Sequence, residues 1–151
     1  MQQTVENRKR TLEALAASEP RWLAAAYAAL GDGLPKASPV RGPEIGMVML
    51  RGRVGGGGAP FNLGEATVTR ATVKLDSGEV GHAFILGRDA GTARIVAHLD
   101  ALAQRGDWQQ RIEQAFVAPA LAAQESVRAE RAEETEATRV DFFTMVRGED
   151  Q

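Results

Sequence analysis

An α+β fold is what this sequence predicts, on three observations. Apolar residues recur at helical spacing through the first thirty positions. The stretch "ATVTRATVKL" at 66–75 is rich in Thr and Val, and a compact turn signal, "DSGE", separates it from a second apolar stretch, "VGHAFIL". Helical spacing returns after Asp89 and runs towards the C-terminus. The expected order is two N-terminal helices, about three antiparallel strands including a hairpin, three C-terminal helices and an extended C-terminal tail. At 151 residues one domain is the default, spanning 1–151, with 140–151 as a partner-docking or swapped tail. That length supports a core without staples.

"VENRKRTLEALAASEP" sets Leu12 and Leu15 three apart among good helix formers, which predicts the first helix. Ser18 is the expected cap of the second, with Pro20 in its first turn. In "RWLAAAYAAL", Leu23, Tyr27 and Leu30 sit at helical spacing, and Gly31 and Gly33 end the helix. The prolines of "LPKASPVRGPE" predict a loop. "IGMVMLRGRV" reads as a strand, halted by the run Gly55–Gly58. The hairpin follows. Setting Leu75 opposite Val80 pairs Val73 with His82, Ala71 with Phe84 and Thr69 with Leu86. One face is then mainly apolar and meets the helices, and the other carries Arg70, Thr72 and Lys74. Asp89 is the expected cap of a helix striped by Ile95, Leu99 and Leu102. Gly106 and Asp107 break it. Trp108, Ile112 and Phe116 recur every fourth residue, and Pro119 opens a long polar helix whose apolar content is mostly alanine.

The chain is 44% hydrophobic and 25% charged with a net charge of -2, a globular composition that asks for neither nucleic acid nor an anionic membrane. The absence of cysteine excludes disulfides, thiol catalysis and iron–sulfur ligation by this chain, and fits a reducing compartment. "MQQTVENRKR" leads into no signal-type apolar core, and no apolar run reaches membrane-spanning length, so a cytoplasmic location is expected.

Candidate sites are few. His82 and His98 lack metal-ligand spacing and are expected to pack, each with one hydrogen bond; no metal is expected. No nucleophile–base set stands in a recognisable setting, so no catalytic residue is assigned. Gly55, Gly56, Gly57 and Gly58 follow Arg51 and Arg53, and backbone N–H groups of such a run could cradle an anion. Their spacing matches neither phosphate-loop fingerprint, and a flexible connection that must turn sharply is the commoner role of such a run. The tail places Asp141, Phe142, Phe143, Met145, Val146 and Arg147 after a polar helix. Such a density of apolar residues must be covered, either by this chain's own sheet or by a partner.

"FNLGEATVTRATVKL", then "LGRD", and above all "RVDFFTMVRGED" resemble the PhnG family. These are the small G subunits of the bacterial carbon–phosphorus lyase core complex, which breaks down phosphonates. The similarity runs from "ASEPRWL" to the tail and is looser towards the N-terminus. The resemblance implies the H, I and J subunits as partners. It implies a non-catalytic subunit of a transferase complex that attaches a phosphonate to ribose C1 of ATP and displaces adenine. In the family the I subunit carries that chemistry, with G and H required and an ATP-binding-cassette-type subunit involved. The J subunit later cleaves the carbon–phosphorus bond with an iron–sulfur cluster and S-adenosylmethionine, so no cofactor is expected here. ATP and phosphonate are then substrates of the complex.

On that resemblance, Phe142, Phe143 and Met145 are expected to bury themselves in a neighbouring subunit, and the isolated chain to self-associate. Arg70 and Arg88 could join Arg51 and Arg53 near the glycine run and hold triphosphate or phosphonate at a subunit boundary; otherwise they are solvated or form ion pairs. The alternative is an independent phosphate-ester-binding protein or enzyme built on Arg51, Arg53 and the glycine loop.

Overall fold

The computed structural model describes residues 2–139. Helix α1 (Gln2–Ala16) buries Ala14 and Leu15 completely, with Leu12 packed beside them. Helix α2 (Pro20–Ala28) begins with proline in its first turn as expected, but its cap is Glu19, not Ser18. The Glu19 carboxylate accepts the backbone N–H of Arg21 at 3.0 Å and of Trp22 at 2.6 Å. Pro20 sets the first helical position, so the cap is the residue immediately before it. Ser18 closes α1 instead, its hydroxyl donating to the Ala14 carbonyl at 2.7 Å.

Three antiparallel strands follow: β1 (Ala37–Gly52), β2 (Phe61–Leu75) and β3 (Val80–Leu86), in the order β1-β2-β3. β1 starts well before the expected strand and takes in much of the stretch read as a loop. Pro39 and Pro43 are tolerated because β1 is an edge strand, where a missing N–H need not break a ladder. The register shifts between Pro39 and Arg41 and again before Glu44, and the Gly42–Pro43 peptide is cis. The glycine run forms the reversal between β1 and β2, with a single 3-10 turn at Val54–Gly56 and Gly55 at φ +63°.

The hairpin register differs from the expected one by one residue. Lys74 pairs with Val80, Thr72 with His82 and Arg70 with Phe84. The Leu75 N–H donates to the Glu79 carbonyl at 2.9 Å, and the Gly78 N–H to the Leu75 carbonyl at 2.9 Å, so the loop is Asp76, Ser77 and Gly78. Gly78 sits at φ +112°, the left-handed third position of a three-residue loop. Since side chains alternate, the slip flips all of β3. His82, Phe84 and Leu86 point outward beside Arg70 and Thr72, while Gly81, Ala83 and Ile85 join Ala71 and Val73 in the core.

Helix α3 (Ala90–Ala103) lies over the inner face of β2 and β3. Asp89 caps it as expected, accepting the Thr92 N–H at 2.9 Å and the Thr92 hydroxyl at 2.7 Å. Leu99 and Leu102 are fully buried and Ile95 packs beside them. Helix α4 (Gly106–Ile112) runs without a break through a π turn (Glu113–Val117) into helix α5 (Ala118–Ala137). Pro119 lacks the N–H for the carbonyl four residues back, and the wider turn just before it is where the ladder absorbs that loss. Ile112 and Phe116 are fully buried, and Trp22 meets Phe116 edge-on at 6.5 Å between ring centroids. The Gln124 amide donates to the Ala14 carbonyl at 3.0 Å; beyond it, residues 125–139 are exposed.

Candidate functional site

The feature that stands outside the core is the far half of the β1–β2 ribbon. β3 ends opposite Val68, so residues 61–67 of β2 and their partners in β1 continue alone for roughly 20 Å at about 3.4 Å per residue. Met47, Met49, Leu50, Phe61 and Leu63 are all exposed there, Met47 to 67%, and Ile45, opposite Thr69 where the ribbon leaves the body, is exposed as well. Arg51 and Arg53 stand exposed at the tip, next to the glycine turn.

Arg70 is elsewhere. Arg51 pairs with Asn62, and Arg70 lies eight residues further along β2, about 27 Å of strand away. Arg70 donates to Glu44 Oε1 at 2.5 Å, and Arg41 donates to the same oxygen at 2.6 Å. The bond from Arg70, then that from Arg41, holds the Glu44 carboxyl below its ordinary range. Arg88 is exposed just past β3, where the Gly87 N–H donates to the Thr67 carbonyl at 2.8 Å. Of the proposed anion-binding residues, then, Arg51, Arg53 and Gly55–Gly58 share one end of the ribbon, and Arg70 and Arg88 lie at the body.

The two histidines differ in setting. His82 is exposed on the outer face, not on the apolar one, with Nδ1 3.1 Å from the Thr72 hydroxyl. His98 is buried and satisfied at both nitrogens. Nε2 lies 2.8 Å from the Pro35 carbonyl, which can only accept, so Nε2 carries the proton and Nδ1 accepts from the Tyr27 hydroxyl at 2.6 Å. Burial holds His98 below its ordinary value of 6.5, against a smaller opposing effect of the Pro35 carbonyl. The sign follows. As pH falls through 6.5 the unfolded chain takes up this proton before the folded one, so stability drops with falling pH in that window. The urea midpoint should fall more steeply between pH 7 and 5.5 in the native chain than in His98→Gln, and equal slopes would refute this. Among the described residues no group of three or more His, Asp or Glu is placed to hold a metal, and no helix is long and apolar enough to cross a membrane.

A polar groove of about 760 Å³ runs along α1 and α4, lined in part by Arg8, Arg10, Asp100 and Glu113. Its charges are engaged with one another. Arg10 grips Glu113 through bonds of 3.0 and 2.6 Å, and Arg8 grips Asp100 through bonds of 3.0 and 2.8 Å.

The profile of the family described as "Phosphonate metabolism protein PhnG" matches residues 6–148. The chain belongs to the PhnG family. A curated relative from Rhizobium meliloti (strain 1021), "Alpha-D-ribose 1-methylphosphonate 5-triphosphate synthase subunit PhnG", is 51% identical over 148 residues, spanning 97% of this chain and 92% of the relative. In this PhnG-family chain the tail residues Asp141, Phe142, Phe143, Met145, Val146 and Arg147 lie outside the described residues.

Sequence reasoning about this PhnG-family chain missed the Arg8–Asp100 pair. Asp100 is fully buried, and its Oδ2 also accepts the His82 N–H at 2.8 Å, so one carboxylate joins α1, α3 and β3. Its hydrogen bond raises the Arg8 pKa above the ordinary arginine value. The signal was present: a single acid inside the apolar run "IVAHLDALA" must find a partner. Nothing local says that the partner is Arg8.

Proposed function

We propose that this chain is the G subunit of a ribose 1-methylphosphonate 5-triphosphate synthase in phosphonate breakdown, and that its work is assembly. The observation that carries this reading is the relative of that name, 51% identical across nearly both whole chains. In the reaction, a phosphonate oxygen bonds to ribose C1 of ATP, the bond from C1 to adenine N9 breaks, and adenine leaves with a proton. The H, I and J subunits are the proposed partners, with the I subunit carrying the transfer and the cluster chemistry confined to J. The chain itself needs no cofactor and works in the cytoplasm.

Asp141, Phe142, Phe143, Met145, Val146 and Arg147 are proposed to dock on a neighbouring subunit. The exposed α5 supports this, because its outer half would carry the tail away from the body: residues 125–139 rise about 20 Å at 1.5 Å per residue. Co-expression with the I subunit tests it. The intact chain should co-purify, and the chain ended after Val140 should fall to background. Equal recovery of both would place the anchor elsewhere. The isolated chain should release no adenine from ATP and a phosphonate, whereas the assembled complex should. Adenine release by the chain alone would favour the independent enzyme.

A further inference from the structure

We propose that the far half of the β1–β2 ribbon is an insertion arm, clasped in an apolar cleft rimmed with carboxylates on another subunit of the same complex; this rests on the assembly reading above. The sequence of the arm is the first observation. "IGMVML" at 45–50 is continuously apolar, which is how strands covered on both faces read, whereas a half-buried strand alternates. Yet this chain covers the run only in part, with Gly46 and Val48 half-buried and the other four residues exposed. α3 lies over β2 and β3. Ile45, Met47 and Met49 project from one face and are 56%, 67% and 52% exposed, and Leu50 on the opposite face is 45% exposed. Leu63 lies across Gly52, where a Cβ would strike its side chain, and remains 61% exposed. A contiguous surface of this kind marks an interaction site. Left open on an edge strand, an uncharged apolar run also templates aggregation. Methionine suits the role, since its unbranched side chain adapts to a partner's contours.

Charge decides the occupant. From Met47 to Thr67 the charged residues are Arg51 and Arg53 at the tip and Glu65 nearer the body, so the arm is net positive in a chain of net charge -2. Two copies of the arm packed together would gather four arginines against two glutamates. A different subunit, apolar inside and acidic at the rim, gives complementary charge instead.

Hydrogen–deuterium exchange on the full chain tests this, comparing it alone with the complex purified after co-expression with the other synthase subunits. Exchange across 45–64 should slow at least tenfold in the complex. Arg51→Glu with Arg53→Glu should weaken association at least tenfold and flatten its salt dependence, and Met47→Glu with Met49→Glu should weaken it further. Both variants should keep the native melting temperature, because these side chains lie outside the core. A complex that forms while 45–64 exchanges as fast as in the free chain overturns the arm but leaves the assembly reading standing. Failure to form any complex overturns both. Protection of 45–64 in a dimer of the chain alone would make the occupant a second copy and overturn the heterologous cleft.

Discussion

Alanine at Gly81 is expected to destabilise the chain by about 3 kcal/mol, at the upper end for an overpacked site. Gly81 faces α3 from β3, and a Cβ there would collide with the Ala97 carbonyl and stand 2.6 Å from the Ala101 N and 2.8 Å from the Ala101 Cβ. Two of those neighbours are helix backbone, which cannot rotate aside like a side chain. The helix must lift, and with it Val96, Leu99 and Leu102, all fully buried. A gap of even 0.5–1 Å forfeits a quarter or more of each dispersion contact it opens. Losing glycine from a strand returns only about 0.5–1 kcal/mol. Thermal unfolding should therefore shift down by roughly 10 °C, at about 2–4 °C per kcal/mol for a chain of this size. Gly46→Ala is the control. It is also a strand glycine, nothing lies within 4 Å of its added Cβ, and its melting temperature should stay within a degree or two or rise. Equal behaviour of the two variants would mean that α3 does not rest on Gly81.

Removing Arg8 should cost about as much, by another mechanism. Arg8→Ala strips a fully buried carboxylate of two of its hydrogen bonds and its counter-charge, leaving the His82 N–H. Breaking a buried pair costs roughly 3–5 kcal/mol. The lower end, about 3 kcal/mol, is expected here, because the Arg8 side chain is 39% exposed and water can enter its place. Asp100→Asn should cost less. Its amide oxygen still accepts the His82 N–H, and the freed guanidinium can turn to solvent. Urea unfolding of the two variants decides the matter. A larger loss in Asp100→Asn than in Arg8→Ala would mean that the carboxylate matters beyond its arginine, through the bond it accepts from the His82 N–H at 2.8 Å.

Much of this architecture was legible along the chain. The helices announced themselves by spacing, Asp89 and Pro20 marked two helix starts, and the glycine run marked a reversal. Those features are written in residues a few positions apart, where backbone geometry acts directly. The apolar run at 45–50 was legible as a strand too, but whether it is covered depends on where α3 comes to lie, and α3 is forty residues further on.

The sequence by itself therefore determined the α+β class, the order of the elements, most of the buried stripes and, through its tail and strand motifs, the family. Only the tertiary structure decided the rest. The hairpin closed with three loop residues where four were equally consistent with its letters, because Gly78 could take the left-handed turn position and Gly81 could then lie under α3. β1 ran on through two prolines because it became an edge. Asp100 found Arg8, ninety-two residues away, because a buried carboxylate must be neutralised by whichever cation the packing brings near. Local propensity sets what each segment can be, and contacts between distant segments choose among those possibilities.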